Sequence, residues 1–202
     1  MPRGARSLVA ALAIASVAVA CSSDDGSEVK TESTTTSTGV TSTTATSSTG
    51  ACSLPGADTG SKTTTSATDV ALLTAVRTGS QPCADRVVFD FRGSSPPGYV
   101  VEYQPGPFTF GESDEPLTIA GSAFLVIRLE PASGVDLMDP SATPTYDGPS
   151  SITPTGLAHV TEIRRLSDFE AQMTWVIGLD AVRPFTVDTL TAPSRVYVDL
   201  AR

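Results

Sequence analysis

From about residue 69 the chain alternates apolar and polar positions with a period of two. Val87, Phe89 and Phe91 alternate with Val88 and Asp90, and Met173, Trp175, Ile177 and Leu179 alternate with Gln172, Thr174 and Val176. Val196, Val198 and Leu200 alternate with Tyr197 and Asp199. Successive side chains of a strand point to opposite faces, so these runs predict half-buried β-strands. Ala71 to Thr78 and the aromatic, β-branched run Gly98 to Tyr103 read as further strands. Ala123 to Leu129 is apolar on both faces until Arg128, as expected of a central strand. Turn chemistry separates the runs: Ser95-Pro96-Pro97-Gly98, Gln104-Pro105-Gly106-Pro107 and Asp147-Gly148-Pro149. Residues 131–155 hold five Pro among Asp, Ser and Gly and read as a long loop. No segment has the 3.6-residue period of an amphipathic helix. Many short strands between regular turns predict an all-β fold, a β-sandwich.

The first third follows other rules. Residues 1–6 carry Arg3 and Arg6, residues 7–19 form a short apolar run, and Ala18-Val19-Ala20 precede Cys21. A charged start, a short apolar stretch and small residues before a cut describe a secretory signal over 1–20. The run is shorter than the ~20 residues of a membrane-spanning helix. Ala18-Val19-Ala20-Cys21 resembles the bacterial lipobox, with Ala18 where Leu is usual, and so marks Cys21 as a lipidation site. The resulting expectation is a lipid anchor on the extracytoplasmic face of the cell membrane. The other reading is a plain secretory cut that leaves Cys21 free. Residues 31–50 contain 15 Ser or Thr out of 20. Such a stretch buries too little apolar surface to offset its ordering entropy, so 21–68 is expected to be a disordered tether, bare or O-glycosylated. Ser27-Glu28-Val29-Lys30 matches a Ser-x-x-Lys motif without its companions and is read as coincidence.

Charge narrows the range of partners. The chain has net charge -9, and cleavage after residue 20 leaves 11 basic against 22 acidic residues. The domain from Asp69 onward has nine Arg, no Lys and 17 acids. Such a surface repels phosphate backbones, which argues against nucleic acid as a partner. With Cys21 assigned to lipid, Cys52 and Cys83 remain, and in an exported protein two cysteines most simply form a disulfide. The alternative is two free thiols. No Cys-x-x-Cys occurs and His159 is the only imidazole, so no metal and no cofactor are expected.

Candidate chemistry is sparse. No Gly-x-Ser-x-Gly elbow occurs and the lone His159 has no motif around it, so no catalytic residues are assigned and the domain reads as a binding module. Glu112, Asp114 and Glu115 cluster in a turn without the spacing of a calcium loop. Tyr99, Tyr103, Phe108 and Phe110 could stack on sugar rings or fill the core. Asp85-Arg86 and Arg164-Arg165 are the sharper ligand-binding candidates, because Arg forks take carboxylates. The alternative pairs those Arg with neighbouring acids across the sandwich.

Five strings in one order carry a resemblance. They are VRTGSQPCADRVVFDF (76–91), PPGYVVEY (96–103), AGSAFLVIRLEPA (120–132), VTEIRRLSDFEAQMTWVIGLD (160–180) and PFTVDTLTAPSRVYVDL (184–200). Together they resemble the AMIN-like domain of actinobacterial lipoproteins, related to the AMIN module beside cell-wall amidases. The closing Pro193-x-Arg195-x-x-Val198-Asp199 pattern is the most specific part. Gln81 stands where family members often carry His. The resemblance implies a β-sandwich over 69–202 that attaches to peptidoglycan or to another envelope protein, and it brings no established catalytic residues.

Overall fold

The period-two runs are strands. The computed structural model describes residues 52–65, 69–111, 113 and 115–202, and all its regular elements are β. The expected signal peptide, Cys21 and the Ser/Thr-rich run lie outside the described residues. Fifteen strands follow in chain order. They are β1 (Lys62–Thr64), β2 (Ala71–Gln81), β3 (Ala84–Phe91), β4 (Gly98–Tyr103), β5 (Phe108–Thr109), β6 (Pro116–Leu117), β7 (Ala123–Glu130) and β8 (Ala132–Ser133). The rest are β9 (Val135–Asp136), β10 (Thr143–Pro144), β11 (Ser151–Ile152), β12 (Val160–Phe169), β13 (Gln172–Leu179), β14 (Phe185–Thr191) and β15 (Ser194–Ala201).

Two sheets face each other, one ordered β1-β4-β7-β13-β12-β11 and the other β14-β15-β3-β2-β8. Neighbours are antiparallel except β2 and β8, which run parallel. The inner faces carry the alternating apolar sets. Leu73, Val87, Phe89, Val196, Val198 and Leu200 come from the second sheet. Leu125, Ile127, Leu129, Ile163, Met173, Trp175, Ile177 and Leu179 come from the first. All fourteen are fully buried, and each such side chain contributes about 1.5–3 kcal/mol. Trp175 sits at the centre, edge-on to Phe89 at 5.8 Å between centroids.

Strand β7 is apolar on both faces for a physical reason. It lies between β4 and β13, and its outward Val126 joins Val176, Phe108 and Ile119 in a second small core. The β5–β6 ribbon supplies that cover. One contact there depends on glycine: a Cβ on Gly178 would lie 2.0 Å from the Ala120 carbonyl oxygen.

Two expectations change. Residues 131–155, read as a loop, hold β8, β9, β10 and β11, because backbone bonds to neighbouring segments replace a side-chain period; Thr145 N and Tyr146 N both donate to Gly134 O. Lys62–Thr64, within the stretch read as tether, pairs with β4 as an edge strand.

The sandwich has two distinct poles. At one, the β2–β3 turn holds Pro82 and Cys83, and Cys83 is disulfide-bonded to Cys52 as expected. Ala158, His159, Asp180 and Arg202 gather there. The β12–β13 turn and β8 lie at the other pole, where Ala132 N donates to Ala171 O. Strand β2 has 11 residues and separates the poles by about 35 Å.

Candidate functional site

A broad concavity opens at the pole away from Cys83. It has a volume of about 830 Å³ and is walled by β12, the β12–β13 turn, the segment from Gly134 to Tyr146, and the tip of the β5–β6 ribbon. Its charged and amide groups are Arg165, Asp168, Glu130, Glu170 and Gln172, and Phe110 and Phe169 flank it at 51% and 61% exposure.

A register shift in β12 brings two of these groups together. Arg165 pairs with Trp175 and Asp168 with Met173, both on the inner face, with the irregularity between Arg165 and Ser167. Residues three apart on a regular strand point to opposite faces; the bulge puts both on one face. Arg165 then lies 5.6 Å from the Tyr146 ring and 5.9 Å from the Trp175 ring, with its guanidinium 3.9 Å from Asp168. The Asp168 carboxylate accepts Gly134 N at 2.9 Å. Gln172 donates to Glu130 at 2.9 Å. The Tyr146 hydroxyl donates to Pro149 O at 2.8 Å. Burial pushes its pKa up, opposed by Arg165 and assisted by Asp147. One cation faces three carboxylates, so the cleft carries net negative charge. Ring faces beside planar carboxylate and amide groups can hold a sugar: C–H faces stack on Phe and hydroxyls donate to the acids.

The β12–β13 turn is strained at the cleft edge. Glu170 and Ala171 have φ of 50° and 57°, a left-handed pair that normally calls for Asn-Gly. Such strain persists where surrounding structure over-determines it, often at ligand clamps.

The expected site residues scatter. Arg165 lies in the cleft. Arg164 points to the opposite face beside Val176, with its guanidinium 3.7 Å from Glu162. Asp85 is fully buried and accepts Ala158 N, His159 N and Arg202 Nε, each at 2.7 Å. These bonds tie β3 to the start of β12 and to the C-terminus, so no face of Asp85 is presented to a ligand. Arg86 lies on the outer face of its sheet, doubly bonded to Asp199 at 2.6 Å and 4.2 Å from the Tyr197 ring. The bond to Asp199 holds its guanidinium more firmly protonated. The signature residues Arg195 and Asp199 share that face, with Arg195 3.2 Å from Asp90. His159 is at the far pole, its Nδ1 2.8 Å from Asp180. The aromatic cluster splits: Tyr99 and Tyr103 pack against the main core, Phe108 fills the outer one, and Phe110 reaches the cleft. Glu112 and Asp114 lie outside the described residues; Glu115 is exposed. Among the described residues no His/Cys/Asp/Glu group is arranged to hold a metal, and no helix is long and apolar enough to cross a membrane.

Sequence reading missed Tyr146, Asp168, Phe169, Glu170 and Gln172. Tyr146 stood in a stretch with no period, and Glu170-Ala171 carries no turn signal. Searches of curated proteins and of solved structures returned no match. Residues 71–202 match the AMIN-like domain, and on that match the chain belongs to the AMIN-like domain family.

Proposed function

We propose that this is a non-catalytic cell-envelope protein that holds a peptidoglycan-type glycan in the cleft between Phe110 and Phe169. It works from a lipid anchor at Cys21 on the extracytoplasmic face of the membrane. One observation carries the reading: the described chain enters at Cys52, tied to Cys83, while the cleft opens at the opposite pole. The cleft therefore lies at the pole remote from Cys52, where the preceding chain joins the domain. Membership in the AMIN-like family, a module linked to cell-envelope binding, supports the same reading. Arg165 already faces Asp168, so recognition rests on stacking and hydroxyl hydrogen bonds rather than on free cations.

The test is sedimentation with purified insoluble cell wall. The wild-type protein should co-sediment, with weak dependence on salt, and Phe110→Ala with Phe169→Ala should stay in the supernatant. Muropeptide profiles should be unchanged by incubation; a change would make the protein an enzyme. A second reading, docking of another envelope protein, draws on Leu137 and Met138, which stand 63% and 92% exposed near this pole. That adapter reading takes the lead if the wild-type protein fails to sediment.

A further inference from the structure

Residues 52–65 lie outside the family match, which begins at 71, yet they cross one open side of the sandwich. The segment starts at Cys52, bonded to Cys83 in the β2–β3 turn of the five-stranded sheet. At Asp58 it meets the first residue of edge strand β14: Asp58 N donates to Phe185 O at 3.4 Å and Phe185 N to Asp58 O at 2.9 Å. It ends as β1, in register with β4 of the six-stranded sheet, Lys62 opposite Val101 and Thr64 opposite Tyr99. Lys62 bonds Asp58 and lies 5.1 Å from the ring centroid of the fully buried Phe185. The segment is therefore a strap that touches an edge of each sheet and caps the core between them.

Little besides the disulfide holds it. No residue from 52 to 65 is buried, and only Leu54, Ala57 and Lys62 are half-buried. Its links to the sheets beyond the bridge are the two Asp58–Phe185 bonds, a three-residue ladder and the Lys62–Phe185 contact. Ordering fourteen residues costs more conformational entropy than a handful of solvent-facing backbone bonds returns. Closing a loop of 31 residues covalently removes most of that cost from the docking step.

We propose that the Cys52–Cys83 bridge is the catch of a redox-released strap: closed, it seals the side of the sandwich; reduced, it frees residues 52–65 and uncovers the β4 edge and Phe185. Cys52 is exposed and Cys83 is half-buried, so the Cys52 sulfur is the accessible one. A dithiol reductant attacks it as thiolate, the S–S bond breaks, and Cys83 leaves as thiolate and takes a proton. The second thiolate of the reductant then displaces Cys52 from the mixed disulfide. Two electrons pass from the dithiol to the bridge, giving two cysteine thiols and one oxidised reductant. The uncovered β4 edge presents unpaired backbone groups to any extended strand.

The experiment is amide exchange, followed residue by residue in the full chain with Cys21→Ser, so that no third thiol takes part. Dithiothreitol should speed exchange at the β4 amides that face β1, and at Phe185, by at least tenfold. The amides of Met173 to Leu179 should keep their protection. The Cys52→Ser, Cys83→Ser variant, without reductant, should match the reduced protein. Unchanged β4 exchange after reduction overturns the proposal. So does equal acceleration in β13, which would make the strap part of the cooperative core. The readout needs no ligand, so it stands or falls apart from the glycan reading.

Discussion

Asp85→Ala should unfold the domain far more readily without any direct effect on ligand binding. Asp85 is fully buried and its carboxylate takes three donors: Ala158 N, His159 N and Arg202 Nε, each at 2.7 Å. Truncation removes the acceptor of two part-buried backbone amides, at about 1–3 kcal/mol each. Arg202 keeps 26% of its side chain exposed and turns to water at smaller cost. The sum is about 3–5 kcal/mol, set by the two amides and the lost charge-assisted bond rather than by a fully buried ion pair. Urea unfolding followed by Trp175 fluorescence gives the answer: with a slope of about 2 kcal/mol per molar, the midpoint should fall by about 1.5–2.5 M. Asp85→Asn keeps an oxygen for the two amides and loses the charge opposite Arg202, so it should fall by about half as much. A midpoint for Asp85→Ala within 0.3 M of wild type, with loss of wall binding, would refute the structural role and restore Asp85 as a ligand group.

Ala171→Gly should raise stability by about 0.5–1 kcal/mol, because φ of 57° costs an L-residue about 1–2 kcal/mol and the greater backbone entropy of glycine offsets about half of that gain; the thermal midpoint should rise by about 2–4 °C. Tyr103→Phe should cost about 1–2 kcal/mol in urea, since the hydroxyl both donates to Arg183 O at 2.7 Å and accepts Arg183 N at 2.9 Å. The hydrogen bond from His159 holds the Asp180 carboxyl below its ordinary range, with Arg183 adding to the effect against a small desolvation cost. A lowered folded-state pKa adds stability above the unfolded carboxylate value near 3.9, and that stability is lost as pH falls through the folded value. Asp180→Asn should therefore narrow its gap to wild type below about pH 4 in urea midpoints; the pair is partly exposed, so the gap is under about 1 kcal/mol. Cys21→Ser should shift the protein from the membrane fraction to the medium or leave it unprocessed, as read on blots of fractionated cells; normal membrane retention of the processed variant would remove the lipid anchor.

The all-β class, most main strands and the Cys52–Cys83 pair were legible because each rests on local or exhaustive information. Period two is a property of a strand by itself, and once Cys21 is read as the lipid-bearing residue the two remaining cysteines have one intramolecular pairing. The burial of Asp85 was legible too, since it shares parity with Val87, Phe89 and Phe91 on β3; its charge drew the reading toward the surface instead. The cleft could not be read in this way. Arg165 and Asp168 share a face only because a bulge breaks the parity of β12. Tyr146 reaches Arg165 through a stretch with no period at all, held by its backbone bonds to Gly134. The Glu170-Ala171 turn is imposed on residues that disfavour it, by the pairing of Phe169 with Gln172 and the bond from Ala132 to Ala171. Local pattern settled which residues become strands. Long-range pairing, with energies that outweigh local preference, decided which of them meet.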